Sequence, residues 1–290
     1  MGDDFLEPDE GNPAGYFEAL DFLRLHRQFL AGSEQEAGRV LEDSSLRDAP
    51  IRTPLLEADI QAAQALIAQK KAPGQPWGWK DPRSVYFLKL WEALLPQARY
   101  LLVYRHPLES CASLLRMGKN WDSLFDPLLT LRSWTFTMQE AMRAADRLAA
   151  NRFIIVPASF LRSSPEAFAT MVRRDWQLEL DCGVLPEKGT SGAGGSVPGI
   201  SQRQHAVFSR YFPEAAAAFD TLQQGARIAL EWSADGTGPD AILDFLESHE
   251  VDPKIALQLL YDSVQPSLSK KHQAARESTA RLAKDYVAKR

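Results

Sequence analysis

The sequence predicts an α/β protein with a parallel sheet and a helical C-terminal region. Residues 99–104 and 152–156 are short and nearly all apolar, as strands covered on both faces of a parallel sheet are. Segments of helical period lie before, between and after them, so 99–156 reads strand–helix–strand, a βαβ unit. Beyond residue 200 only helical periodicity remains.

The elements follow in order. Over 15–30, Phe17, Leu20, Leu23 (with Phe22) and Leu25 recur at helix-like spacing, and Gly32 is a stop signal. Over 55–70, Leu55, Ile60, Ala63, Leu66 and Ile67 share one side of a second helix. The stretch Lys71-Ala72-Pro73-Gly74-Gln75-Pro76 is a turn or loop. A strand entering at Trp77 runs into Lys80 and stops at Pro82. A helix over 84–95 ends before Pro96. After the strand 99–104, His106-Pro107 breaks the chain and a helix starts near Leu108. A long helix spans 131–150, the second buried strand 152–156, and another helix 165–175.

Residues 186–200 hold Gly189, Gly192, Gly194, Gly195, Gly199 and two prolines, the composition of a linker. We therefore expect an α/β domain over 1–185, a linker over 186–200 and a helical region over 201–290. Helices are expected at 214–226, 239–249 and 254–263. A polar, basic helix over 268–288 would be a solvated face or an oligomer contact.

Composition narrows the function classes. Hydrophobic residues are 45% and charged residues 24% of 290, ordinary for a globular chain and unlike collagen, a disordered chain or a coiled coil. The net charge of −5 argues against a general nucleic-acid binder. Two cysteines, Cys111 and Cys182, make no disulfide framework, and no Cys/His spacing suggests a metal site. No apolar stretch approaches the ~20 residues of a membrane span, and the start Met1-Gly2-Asp3-Asp4 is acidic where a secretory signal is basic. The expected location is the cytoplasm. Charge is uneven: residues 1–50 carry twelve acids and four bases, whereas 80–116 carry six bases and three acids. A local cationic segment in an acidic protein fits a discrete anion site.

The strand 99–104 delivers Arg105 to its carboxyl end, where ligands bind in open parallel sheets. The next helix points its free N–H groups at the same place, and Ser113 lies on that helix. Arg105 and Ser113 form either a phosphate clamp or a strand-end salt bridge beside a small packing residue. Lys80 either neutralises charge on a transferring group or pairs locally with Asp81. Arg83 opens the next helix. His106 lines the site or makes a turn; His205, His249 and His272 read as surface residues. Trp77, Trp79, Trp91 and Trp134 read as core.

These residues carry a resemblance. Lys80-Asp81-Pro82-Arg83, then Leu95-Pro96 with Ala98, then Leu102-Val103-Tyr104-Arg105-His106-Pro107-Leu108-Glu109 with Ser113-Leu114, resemble the sulfotransferase family. Asn12-Pro13 with Gly15-Tyr16-Phe17-Glu18, and 152–161 with Pro165, are similar to its bacterial carbohydrate-type members. The resemblance covers about residues 1–175. It implies a P-loop-type three-layer α/β fold and 3′-phosphoadenylyl sulfate (PAPS) as sulfuryl donor, with no metal. Arg105 and Ser113, with Arg83, would bind the nucleotide, the first two through its 3′-phosphate. Lys80 would sit near the sulfuryl group. Glu18 is the candidate catalytic base; its alternative is an exposed helix residue. Pro82 stands where cytosolic members place a base histidine. The acceptor would be a carbohydrate or other hydroxylated small molecule.

The family also needs a first strand and a Gly- and Ser/Thr-rich loop for the 5′-phosphosulfate, ahead of the Asn-Pro-x-Gly-Tyr-Phe-Glu run. Only eleven residues precede Asn12, and none form such a loop. Gly189-Thr190-Ser191-Gly192-Ala193-Gly194-Gly195-Ser196 has the glycine spacing but Gly195 in place of the lysine, and reads as linker. The expectation is an α/β domain lacking its first strand. Either the true start lies upstream of Met1, or the chain is a remnant that binds without catalysing, or a partner supplies the strand. A sulfotransferase therefore stands beside a catalytically inactive nucleotide-binding or interaction protein. A phosphotransferase using ATP is disfavoured, because no Walker lysine motif is present.

Overall fold

The computed structural model describes residues 4–8, 15–31, 55–70, 76–117, 127–180, 199–233 and 240–264. The expected stop at Gly32, most of the 186–200 linker with its Gly-rich run, and the basic helix 268–288 lie outside the described residues.

The two apolar runs pair in parallel as β1 (Tyr100–Tyr104) and β2 (Phe153–Pro157), in the register Leu102↔Ile155. Helices α4 (Pro107–Met117) and α5 (Pro127–Arg147) make the crossover between them, so the βαβ unit stands. All of β2 is buried. Its side chains alternate: Ile154 and Val156 pack on Met171, Val172 and Trp176 of α7 (Pro165–Trp176), while Phe153 and Ile155 face the opposite cluster. The short helix α6 (Ala158–Ser163) links β2 to α7 and was not expected from the sequence.

β1 departs from the expectation. Tyr100, Leu102 and Tyr104 join the second cluster, but Leu101 and Val103 are each 41% exposed. The expected cover on both faces is thus half correct. Helix α7 covers the β2 side of that face, while Leu101 and Val103 of β1 stay partly open. The expected strand into Lys80 is also absent: residues 76–81 are irregular, and the described residues form a sheet of two strands.

In front of the sheet, α1 (Leu20–Ala31) and α2 (Glu57–Lys70) pack on α3 (Leu88–Leu94). Phe22, Phe29, Ala63, Phe87 and Trp91 form that core, and Phe22 stacks on Trp79 with ring centroids 4.0 Å apart and planes 3° apart. Helix α1 starts at Leu20, later than expected, leaving Phe17 outside it. The expected helix 84–95 begins instead as a 3₁₀ segment, Pro82–Phe87, before α3. Pro82 has no N–H to leave unpaired there, and Asp81 caps the first turn.

Four C-terminal helices follow: α8 (Gln202–Tyr211), α9 (Pro213–Gly225), α10 (Asp240–Ser248) and α11 (Pro253–Val264). Ser201 and Gln204 close a capping box at the start of α8, which falls in the expected helical region but was given no range of its own. These helices pack on the α/β body. Val207, Phe208, Leu246, Leu257 and Leu260 share one core with Leu108 and Cys111 of α4. Phe219 and Leu222 of α9 cover Tyr104, Phe153 and Ile155. The Arg227 N–H donates to the Ile155 carbonyl (3.0 Å), and the Tyr104 hydroxyl donates to Gln223 Oε1. Burial pushes that hydroxyl's pKa up to about 12.

Candidate functional site

Glu18 lies just ahead of α1, in a segment tied down on its far side. The Leu6 N–H donates to the Glu18 carbonyl (2.9 Å), the Leu20 N–H donates to the Asp4 carbonyl (3.1 Å), and Phe5 bridges Ala19. The Glu18 side chain is not the exposed helix residue of the alternative reading: the residue is 5% exposed. Lys80 Nζ donates to Glu18 Oε1 (3.0 Å) and to the Tyr16 carbonyl (3.0 Å), and Arg83 donates to Glu18 Oε2 (3.0 Å). Two cations from one short segment thus meet at a buried carboxylate more than 60 residues earlier in the chain. Lys80 remains half exposed, so the cluster opens to solvent on the ammonium side.

Behind it stands a second layer that the sequence reading missed. Asp81 Oδ1 accepts from the Arg83 backbone N–H (2.9 Å) and guanidinium (2.7 Å), while Oδ2 lies 2.7 Å from His26 Nδ1. The Trp91 indole N–H, which can only donate, points at His26 Nε2 (3.1 Å). Nε2 is therefore the acceptor, and the proton sits on Nδ1, donating to Asp81. The imidazole and the carboxylate are fully buried. Burial opposes the charge on Asp81, but the His26 bond and then Arg83 outweigh it and hold the carboxyl below its ordinary pKa. Burial likewise opposes the charge on Arg83, and Asp81 and Glu18 overcome it, raising its pKa.

The local Lys80–Asp81 pair of the alternative reading does not form. Asp81 has extended backbone, where neighbouring side chains diverge, so Lys80 goes to Glu18 and Asp81 to His26 and Arg83. One signal for His26 was present: Phe22, Leu25, His26 and Phe29 fall at i, i+3, i+4 and i+7, which sets the histidine in the buried stripe of α1.

At the exit of β1, Arg105 and Ser113 take the expected places. Arg105 follows the last strand residue, Ser113 lies on α4, and both are half-buried. Glu109, in the first turn of α4, has its pKa raised by burial, with Arg105 and Arg162 pulling it the other way. His106 neither lines an open site nor merely turns the chain, because it is completely buried. The Leu108 N–H donates to its Nδ1 (3.2 Å), so its proton sits on Nε2 and donates to His205 Nδ1 (3.0 Å). The His205 proton is then on Nε2, 3.2 Å from Asp220 Oδ1. His205 is thus no surface residue: it packs among His106, Phe219 and Trp232. Burial and then His205 hold the His106 pKa well below the usual histidine range, and burial lowers that of His205 against the pull of Asp220.

Among the described residues no group of His, Cys, Asp and Glu is arranged to hold a metal, and no helix is long and apolar enough to cross a membrane. No curated protein and no solved structure matches the chain. The sulfotransferase family model matches residues 17–181, a stretch that contains Glu18, Lys80, Arg83, Arg105 and Ser113 and more than half of the whole. The chain therefore belongs to the sulfotransferase family.

Proposed function

We propose that this chain transfers a sulfuryl group from PAPS to a hydroxyl of a carbohydrate or another small molecule. The observation that carries the reading is the Glu18 carboxylate, buried yet held by a half-exposed ammonium and a fixed guanidinium. A proton acceptor and a cation side by side are what hydroxyl attack on a charged group requires.

The residues present suit one end of the donor. Arg105 offers a planar pair of N–H donors and Ser113 a neutral one, at a strand exit beside a helix N-terminus, which is the chemistry of a phosphate grip. They would hold the 3′-phosphate. The 5′ end has no strand–loop–helix cradle among the described residues. When bound, the donor supplies a sulfuryl group attached to a phosphate leaving group. Glu18 accepts the proton of the acceptor hydroxyl. Lys80 offsets the negative charge that develops beside it. Arg83 fixes the Glu18 carboxylate, and Asp81 and His26 fix Arg83.

A second reading, nucleotide binding without transfer, is favoured by the same carboxylate: both Glu18 oxygens are already engaged by cations. Calorimetry with 3′,5′-ADP and an assay of sulfuryl transfer separate the two. Arg105→Ala is expected to bind 3′,5′-ADP roughly 10- to 100-fold more weakly, the loss of a charge-assisted bond of about 1.5–3 kcal/mol. Ser113→Ala loses a neutral bond of about 0.5–1.5 kcal/mol. Equal affinity of wild type and Arg105→Ala overturns the grip. Tight binding with no transfer to any hydroxyl acceptor decides for the second reading.

A further inference from the structure

Phe17 is the residue between the two groups that hold the Lys80 ammonium, the Tyr16 carbonyl and the Glu18 carboxylate, each 3.0 Å from Nζ. Its φ is +56°, the left-handed region, which a bulky side chain enters only under constraint. The residue is 57% exposed, the largest value among the exposed large apolar residues described. Gly15, at φ +88°, lies beside the Phe17 ring: a Cβ there would sit 3.9 Å from two of its atoms.

Two costs therefore fall on one residue. The backbone is held in a disfavoured conformation, and an aromatic ring stands in water while Phe22 and Phe29, a few residues on, are buried. The surroundings enforce this. Lys80 ties Tyr16 on one side, and the Leu6–Glu18 and Leu20–Asp4 hydrogen bonds tie the residues on the other. Strain maintained in this way clusters at ligand-binding positions.

The chemistry around the ring selects its ligand. Phe17 offers a solvent-exposed aromatic ring, with the Lys80 ammonium hydrogen-bonded to both of its neighbours, the Tyr16 carbonyl and the Glu18 carboxylate. That combination suits a ring with one C–H face and a hydroxylated edge, which is a pyranose. A phenol has two apolar faces and needs a slot to bury both. We propose that Phe17 is an acceptor-binding residue: a pyranose lays its C–H face on the phenyl ring, which sets its hydroxyl edge towards Glu18 and Lys80. The placing of the hydroxyl rests on the transfer reading above; the stacking on Phe17 does not.

Saturation-transfer NMR on the full chain, with methyl β-glucopyranoside as probe, tests this. Wild type is expected to saturate the ring C–H protons of the sugar. Phe17→Ala should weaken sugar binding at least tenfold, and Phe17→Trp should keep it. Phe17→Gly should raise Tm, because glycine relieves the backbone and removes an exposed ring, and it should lose the sugar as well. A ring that only props the fold would lower Tm instead, and that result overturns the proposal. So does equal sugar binding by wild type and Phe17→Ala, or no sugar binding by wild type. Binding of 3′,5′-ADP is measured in parallel: its absence in wild type defeats the transfer reading alone, while the sugar result still decides for or against Phe17.

Discussion

Replacing Asp81 with alanine is expected to cost about 3–5 kcal/mol of stability, the range for stripping one partner from a buried charged network. Asp81 accepts the His26 Nδ1–H and, among the described residues, shares the Arg83 guanidinium with Glu18. Its removal leaves an imidazole N–H unpaired in a dry core and half of a buried cation's compensation gone. Asp81→Asn keeps an acceptor but not the charge, and should cost less. Urea unfolding at pH 7 measures both; an alanine variant within about 1 kcal/mol of wild type would show the network to be idle. The pH dependence has a fixed sign. The folded Asp81 carboxyl titrates below its unfolded value of about 3.9. Its contribution is complete above that pH and is lost as pH falls through the lower, folded value. Wild type should therefore lose stability on acidification below about pH 4 more steeply than Asp81→Ala.

The second large effect is on turnover. Glu18→Gln should lower the rate of sulfuryl transfer by about 10²- to 10⁴-fold, the usual yield of a positioned general base. The amide still accepts from Lys80 or Arg83 but cannot take the hydroxyl proton. Affinity for 3′,5′-ADP should hold, because Arg105 and Ser113 are untouched. A variant that keeps its rate within a few-fold would assign the base elsewhere and return Glu18 to a purely structural ion pair.

Much of the architecture was legible from apolar spacing. The βαβ unit came from two short apolar runs, and the helices α2, α5, α7, α9, α10 and α11 from their periods. What spacing could not supply was the surroundings of each residue. Leu101 and Val103 read as buried because an apolar run looks the same whether one face of a sheet is covered or two. Asp81-Pro82 read as the end of a strand, although an Asp before Pro equally opens a helical turn, and the cap decided it. At the site, Lys80 and Arg83 were singled out from their place around Pro82 and Glu18 through family resemblance, and the fold brings them together. His26 and Trp91 were not, because their partners are 55 and 65 residues away in the chain and no local pattern pairs them. His205 was misread for the same reason: a histidine on a polar helix gives no sign of the buried ring it will meet.

The stretch shared with the family ends at residue 181, yet the sheet is finished by what comes later. Phe219 and Leu222 roof Phe153 and Ile155, and Arg227 closes an open carbonyl on β2. A nascent chain leaving the ribosome with only its shared portion emerged would carry a bare apolar roof-line and an unmet hydrogen-bond acceptor. Folding of the shared portion must then wait until residues 219–227 have been made, and a chain cut after residue 181 should behave as a chaperone client.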